Sequence, residues 1–490
     1  MSVRTLARQL SHFLGGNIIG LLLSLVSFPI LTRLLDQSHY GILVLVNTTM
    51  SLAVAVAKGG TSEAIVRFYG DYAGSPAQLR VFTSTVLVTR GIQAVVAVAV
   101  YLIALYLVFL FAGLEPVALT AFLIMAPYVA IRPLGIVPLN YFRATGLSVR
   151  YNVVSIVDKA ATVVLSILAL LLISNSLNSY FGAMLVAETL VTVALLWWLF
   201  SNYEFSPRAM SWELGRTLLA FGLPLAATEI GYLLLAYADR YLLAALSSSE
   251  ELAVYSVGYN LPSYVNDAVV FSLSYAIIPL YTDIFRQRGT EAVTEFLNKT
   301  LHYYIGGMFL ACAGYAAVAH DLIRWLASDK YAGSASFSPI VLFSLMLMGS
   351  NYITYAGLYL HKKSRVILAI MIASVMVNVI ANFALIPRFG ATGAAYATLL
   401  ACVASAGATI VVARRLVSFS VRLPDVVYYG VGAAVLYLVM SRIDLDRPFA
   451  TLLVKLAVGA VVVAAILLVR ERELRTEVRR RLRSPPQDRS

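Results

Sequence analysis

Ten ionisable side chains lie inside long apolar runs of this sequence, where a charge costs at least a few kcal/mol and usually faces a partner or an interior path. They are Arg90, Arg132, Asp158, Lys159, Glu188, Glu229, Asp239, Arg240, Asp267 and Lys455. Arginine binds anionic oxygens in bidentate fashion and lysine binds them as a point charge. The residue types therefore indicate either ion pairs that hold membrane helices together or recognition of a charged group within a membrane.

The spacing of some charges limits how they can pair. Asp158 and Lys159 are adjacent, hence about 100° apart around a helix, so we expect each to find a partner on another helix. Glu63 and Arg67 have i, i+4 spacing and predict either a solvated surface pair or part of a binding site. Three charges near predicted helix ends are expected to reach the membrane interface: Asp239, Arg240 and Lys455.

The composition predicts the elements that position these groups. The 490 residues are 60% hydrophobic and 13% charged, against about 45–50% and about 25% in soluble domains. A membrane helix needs roughly 20 apolar residues, and long apolar runs recur along the whole chain. We therefore predict an all-α polytopic membrane protein with about 14 transmembrane helices. The histidines lack i, i+4 spacing and the two cysteines lie in apolar runs, so neither a metal nor another cofactor is expected.

The predicted helices fall into two groups of six followed by two more. The predicted divisions are an N-terminal six-helix half at 1–201, a C-terminal half at 202–415, two additional helices at 416–469 and a basic cytoplasmic tail at 470–490. A weak internal correspondence supports two halves related by a pseudo-twofold axis. Arg143 precedes Asp158 by the same fifteen residues by which Lys363 precedes Asn378.

The distribution of basic residues predicts the orientation. With fourteen helices, the segments on the side of both termini hold 26 of the 37 Lys and Arg residues, and the opposite loops hold 7. Basic residues are retained on the cytoplasmic side, so both termini are predicted to be cytoplasmic in the cell membrane. Because the charge is dispersed over alternate loops, it does not form the continuous stripe that a nucleic-acid binder needs, and no nucleic-acid partner is expected.

Two connecting segments carry local signals. In ALIPRFGATGAA, Pro387 cannot continue a helix while Gly390 and Gly393 permit a tight reversal, so a short turn between antiparallel helices is expected. The segment Tyr281–Thr300 alternates charged and apolar residues and predicts either an amphipathic surface helix or a solvated connector. The second predicted helix, Tyr40–Lys58, can continue as far as Phe68.

Several stretches resemble the polysaccharide-export, lipid-linked oligosaccharide flippase family of the larger multidrug and polysaccharide exporter superfamily. They are VNVIANFALIPRFGATGAAYAT from Val377, FPILTRLL from Phe28, SEAIVRFYG from Ser62, LAFGLPL from Leu219, ADRYLLAAL from Ala238 and AVYSVGYNL from Ala253. Their order and spacing are similar to those of the family, so the resemblance covers essentially the whole chain.

The resemblance implies a central cavity lined by the first, second, seventh and eighth helices and a mechanism of alternating access. The expected substrate is a polyprenyl-diphosphate-linked oligosaccharide, with membrane lipids, a polysaccharide polymerase and glycosyltransferases as further partners. The candidate substrate-binding residues are Arg33, Lys58, Arg67, Lys159 and Arg240. The candidate coupling or pairing carboxylates are Asp158, Glu229, Asp239 and Asp267.

Three other functions compete with the flippase interpretation. A multidrug or toxic-compound cation antiporter would share the fold. An intramembrane glycosyltransferase, polymerase or ligase is disfavoured because no predicted outer loop is long enough to carry catalytic groups, so the protein is not expected to be an enzyme. A structural membrane scaffold is the third alternative.

Overall fold

The computed structural model describes residues 3–470 apart from 268, 269, 271, 415, 421 and 446, and the predicted basic tail beyond Arg470 lies outside the described residues. The regular elements are α1 (Val3–Leu34), α2 (Gln37–Lys58), α3 (Thr61–Tyr72), α4 (Pro76–Ala112), α5 (Pro116–Ala144), α6 (Ser148–Leu172), α7 (Leu177–Asn202), α8 (Trp212–Leu246), α9 (Ser249–Asn266), α10 (Ser272–Leu326), α11 (Ser338–Gly349), α12 (Asn351–Thr354), α13 (Ala356–Leu360), α14 (Ser364–Ala413), α15 (Leu423–Ser441) and α16 (Pro448–Arg470). Two short 3₁₀ helices, Pro207–Ala209 and Asp329–Ser336, complete the described secondary structure.

The fold is all-α and polytopic, as the composition predicts. Within the described residues, eleven helical segments are long and apolar enough to cross a membrane, and a shorter apolar helix covers Ile19–Leu34. Many large apolar side chains on these helices are exposed, which fits lipid as their surroundings. The count of fourteen stays a prediction, because a single segment, Arg365–Ala413, contains two of the predicted helices.

The predicted reversal within α14 is confirmed. Gly390 has φ 52° and ψ −132°, which interrupts the helical backbone. Eight residues along a straight helix separate two positions by about 12 Å. A Cβ on Gly393, however, would lie only 2.4 Å from the carbonyl oxygen of Leu385. The chain therefore folds back at Gly390, and glycine at 393 permits the two arms to touch.

The segment predicted as a surface helix or a connector is helical. It belongs to α10, which Gly289 interrupts with φ 78°. After this break, Val293 and Leu297 are fully buried in a core that also contains Tyr281 and Leu301. The amphipathic pattern thus seats the apolar side of the helix on the protein.

The chain forms two compact units, unit 1 at Met1–Ala253 and unit 2 at Val254–Ser490. In unit 1, α5 is central and packs against α2, α3, α4, α6 and α7, while α8 packs against α2, α3 and α4. In unit 2, α15 and α16 pack against α10. The division at 201, 415 and 469 stays a prediction.

One charge expected at the interface is buried in unit 2 instead. Lys455 is 8% exposed, and its Nζ donates to Asp321 Oδ2 at 2.6 Å and to the carbonyl of Ala317 at 3.2 Å. The expectation that it reaches the membrane surface is wrong because α16 places it opposite a carboxylate on α10. The pair ties one of the two last helices to the rest of its unit.

Candidate functional site

In unit 1, α2 and α8 lie antiparallel, and at each end one of them closely approaches the residues that directly follow the other. A Cβ on Gly60 would lie 1.8 Å from the carbonyl oxygen of Gly222. Towards the other end, a Cβ on Gly41 would lie 1.9 Å from the carbonyl oxygen of Ser249, the residue that begins α9. Only glycine permits either approach, so both points are close backbone contacts that any side chain would separate.

Polar contacts join the same two helices between these points. Lys58 Nζ donates to Glu229 Oε1 at 2.5 Å, and the Lys58 side chain is 19% exposed. The hydroxyl of Tyr241 donates to Thr49 Oγ1 at 3.3 Å. These two contacts and the two glycine contacts define what we call the α2–α8 seam. The predicted cation Lys58 and the predicted carboxylate Glu229 are thus brought together.

A break in the helix lies beside Lys58, at Gly59 and Gly60, whose φ values are 48° and 69°. A break inside a membrane frees backbone carbonyls that must find donors. Arg90, only 1% exposed, donates to the carbonyl of Lys58 at 2.8 Å and to Ser62 Oγ at 3.2 Å. Arg90 therefore supplies a hydrogen-bond donor to a backbone carbonyl group at the end of α2, where α3 begins.

A second group of charges is buried where α5, α6 and α7 meet, and we call Arg132, Asp158 and Glu188 the acidic cluster. Arg132 donates through Nη1 to Asp158 Oδ2 and to Glu188 Oε1, the latter at 3.0 Å. The two carboxylate side chains are 5% and 3% exposed. Sequence reasoning identified all three as intramembrane charges but included only Asp158 among the candidate site residues. The sequence could not show that these three side chains meet, because their contact depends on how α5, α6 and α7 pack together.

Small and hydroxylated residues allow α5 and α7 to approach at this cluster. A Cβ on Gly135, one turn after Arg132, would lie 2.5 Å from Thr192 Oγ1. Thr192 in turn contacts Glu188 Oε1 at 3.4 Å. The close approach brings the Arg132 guanidinium within reach of a carboxylate on α7.

Lys159 points to a different helix from Asp158, as their adjacency predicts. Its Nζ donates to the carbonyl oxygen of Gly20 in α1 at 2.6 Å. Asp158 and Lys159 therefore link α6 to two different neighbours.

Asp239 and Arg240 are 5% and 6% exposed, so the expectation that they reach the interface is wrong. Arg240 donates to the carbonyl of Ala236 at 3.1 Å, and its guanidinium lies 5.1 Å from the centre of the Tyr237 ring. Both residues lie on α8 and are buried within unit 1, although the sequence predicted that they lie near a helix end.

The remaining candidates lie at exposed positions. Arg33 is in the last turn of α1, and Asp267 follows α9. The predicted surface pair is rearranged: Arg67 contacts Asp71 at 3.5 Å, whereas Glu63 accepts from Arg143 on α5 at 3.3 Å. The predicted i, i+4 ion pair between Glu63 and Arg67 is therefore wrong.

The length of α2 separates two of the candidate cations. Arg33 precedes the start of α2 and Lys58 is its last residue, so they are about 30 Å apart along the helix axis. One diphosphate cannot contact both at once. The five candidate cations therefore form no single site in this conformation.

The described chain is thus a polytopic helical membrane protein that holds charged groups inside its bundle. It belongs to the polysaccharide biosynthesis protein family, whose model matches residues 6–285, more than half of the chain. The MatE family model matches residues 224–384. No curated protein sequence matches significantly.

Solved structures share the fold. The lipid II flippase MurJ in an inward closed conformation is similar with a TM-score of 0.72 and 13% identity over 94% of this chain and 99% of MurJ. An inward-facing multidrug resistance MATE family transporter is similar with a TM-score of 0.65 and 15% identity over 81% of this chain and 94% of the transporter. A mutant of the Vibrio cholerae MATE transporter VcmN is similar with a TM-score of 0.54 and 14% identity over 84% of this chain and 96% of the transporter. The resemblance to the exporter superfamily seen in the sequence is confirmed.

Proposed function

We propose that the protein is a flippase that moves a polyprenyl-diphosphate-linked oligosaccharide across the cytoplasmic membrane during surface polysaccharide biosynthesis. Membership of the polysaccharide biosynthesis family and the fold shared with a lipid II flippase support this function. The structural observation that carries it is the α2–α8 seam, where a cation in a transmembrane helix is held by a carboxylate that an anionic substrate can replace. Such transport makes and breaks no covalent bond.

In this proposal Lys58 alternates between Glu229 and the substrate. The Lys58 and Glu229 side chains are 19% and 41% exposed, so the pair is only partly buried and exchanges partners more easily than a fully buried ion pair. The diphosphate brings more negative charge to Lys58 than one carboxylate does. Binding of the substrate therefore releases Glu229 and loosens α8 from α2.

The two glycine contacts explain how access could alternate. Separation at Gly60 and Gly222 opens the seam at one end, and separation at Gly41 and Ser249 opens it at the other. Arg67 and Arg33 lie towards these opposite ends and would meet the anionic head group on entry and on exit. Lys159, Arg240, Asp239 and Asp267 remain proposed site residues with positioning or pairing roles.

The acidic cluster supplies a place for a coupling proton. Two carboxylates share one guanidinium, so the cluster has one excess negative charge when both are ionised. A net charge buried in the membrane is costly, and uptake of one proton removes it. We propose that Asp158 and Glu188 share this proton and that its release accompanies the conformational change.

The expected result of a transport assay separates this function from the alternative. Reconstituted protein should translocate a labelled polyprenyl-diphosphate sugar and should not exchange cationic dyes for sodium or protons. The MatE match to residues 224–384 makes the cation antiporter the second candidate. Dye exchange without translocation of the lipid would select that candidate and reject the flippase.

The proposed location is the cytoplasmic membrane with both termini in the cytoplasm, which rests on the excess of Lys and Arg in alternate segments. A reporter active only in the cytoplasm should be active when fused after Ser490. Activity of an exported reporter at the same position would reverse the orientation. Glycosyltransferases that make the substrate and a polymerase that uses it are the proposed partners.

A further inference from the structure

A cavity of about 450 Å³ opens in unit 1 between α5, α6 and α7, the three helices that also carry the acidic cluster, and none of its lining residues belongs to that cluster or to the α2–α8 seam. It lies where α5 ends, α6 begins and α7 ends, at one boundary of the membrane helices. We call it the α5–α7 groove, and its lining residues are Phe142, Val149, Arg150, Val153, Val154 and Trp198. Five of the six are apolar, and its volume falls within the range of about 300–1,000 Å³ typical of small-molecule sites.

One wall of the groove is packed against the protein and the other is exposed. Phe142 is buried and packs against Trp198 with a ring separation of 4.3 Å. Val149 and Val153, in contrast, are 52% and 54% exposed on the opposite wall. Because the exposed residues face the surroundings of the helix bundle, the groove is open to lipid.

One cation stands at the mouth of this apolar groove. Arg150 is exposed, and within the described part of the chain its side chain has no carboxylate partner or hydrogen-bond acceptor. It is the third residue of α6, a helix of 25 residues whose N-cap Leu147 makes no side-chain capping bond. The backbone N–H groups of Val149 and Arg150 likewise have no acceptor among the described residues.

These observations fit one kind of ligand. An arginine and unsatisfied N–H groups at a helix start attract an anionic oxygen, and the apolar walls beside them accept a hydrocarbon chain. Phospholipids combine both parts, and anionic ones concentrate at the cytoplasmic leaflet, where this end of the helices is predicted to lie. We propose that the α5–α7 groove binds one anionic phospholipid, its phosphodiester on Arg150 and one acyl chain against Val153 and Trp198.

The charge balance distinguishes this lipid from the transport substrate. A single unpaired guanidinium matches the single charge of a phosphodiester, whereas a diphosphate would keep an excess negative charge at the groove. Phe142 and Trp198, whose rings are 4.3 Å apart, form the apolar wall against which one acyl chain would pack. The bound lipid is therefore a resident of the protein and is not transported.

Photo-crosslinking tests this site without any transport measurement. The full-length protein is placed in lipid nanodiscs with a trace of phosphatidylglycerol carrying a diazirine in one acyl chain, and labelled peptides are mapped. We expect labelling of the lining residues that competes with unlabelled phosphatidylglycerol but not with phosphatidylcholine or inorganic phosphate. Loss of a charge-assisted hydrogen bond predicts labelling about tenfold weaker in Arg150→Ala.

Two further variants make the result specific. Arg216→Ala removes another exposed arginine, at the start of α8, and should label like the native protein. Val153→Trp keeps Arg150 but fills the groove, so it should also abolish labelling while the variant elutes as a monodisperse peak. Equal labelling of Arg150→Ala and native protein overturns the proposal, and so does equal competition by phosphatidylcholine. Stronger competition by polyprenyl phosphate than by phosphatidylglycerol would assign the groove to the substrate tail instead.

Discussion

Replacing Arg132 with methionine should lower the free energy of unfolding by about 3–5 kcal/mol, because two buried carboxylates would then face each other without their cation. Methionine fills much of the volume of the arginine stem, so the decrease in the free energy of unfolding measures the loss of the positive charge and not the creation of a cavity. Unfolding of the purified protein in detergent, followed by heating or by denaturant, measures the difference. Arg216→Met, at an exposed position on α8, is the control and should change stability little.

A second variant of the acidic cluster separates stability from proton coupling. Asp158→Asn leaves one carboxylate for Arg132, so the cluster is neutral without a proton and the fold should be retained. If the cluster carries the coupling proton, this variant should no longer move protons with the substrate in reconstituted vesicles. Full proton coupling in Asp158→Asn would reject the proposed role, while equal stability of Arg132→Met and Arg216→Met would reject the electrostatic account of the cluster.

Adding a single methyl group at either end of the α2–α8 seam should reduce transport about tenfold or more. In Gly60→Ala the Cβ would overlap the Gly222 carbonyl, and the positive φ of 69° adds a cost of about 1–2 kcal/mol. In Gly41→Ala the overlap is with the carbonyl of Ser249. Each variant forces α8 away from α2 at one end only, so the seam cannot close there.

The side of opening is measurable with a cysteine at the middle of the seam. In a Thr49→Cys background without the two native cysteines, an impermeant thiol reagent should react faster from the cytoplasmic side in Gly60→Ala and from the opposite side in Gly41→Ala. Gly70→Ala is the matched control, because a Cβ at Gly70 meets no atom within 4 Å. Native-like labelling and transport in both seam variants would show that these glycine contacts do not govern access.

The sequence predicted the class of fold because lipid imposes a simple rule on composition. Apolar runs long enough to cross a membrane are visible without any knowledge of their packing. The reversal in α14 was also visible, since Pro387, Gly390 and Gly393 limit the local backbone directly. These features depend on residues close together in the chain.

Pairings between distant residues could not be read from the sequence. Asp158 was expected to find a partner on another helix, but nothing local indicates that the partner is Arg132 or that Glu188 shares it. The predicted pairing of Glu63 with Arg67 was wrong for the same reason, because Arg143 on α5 binds Glu63 in place of the i, i+4 partner. Candidate site residues drawn from helix order were therefore spread over several helices, and among them the structure brings Lys58 and Glu229 together.

The position of Arg90 has a consequence for how the chain enters the membrane. The carbonyl groups of Ala57 and Lys58 accept hydrogen bonds from the Arg90 guanidinium. Arg90, however, lies on α4, which leaves the ribosome later than α2 and α3. Until α4 arrives, the end of α2 lacks its donor and Arg90 lacks its acceptors, and either would be costly alone in lipid. The segment from α2 to α4 should therefore leave the translocon as one hairpin, so that synthesis order and helix-break chemistry are coupled.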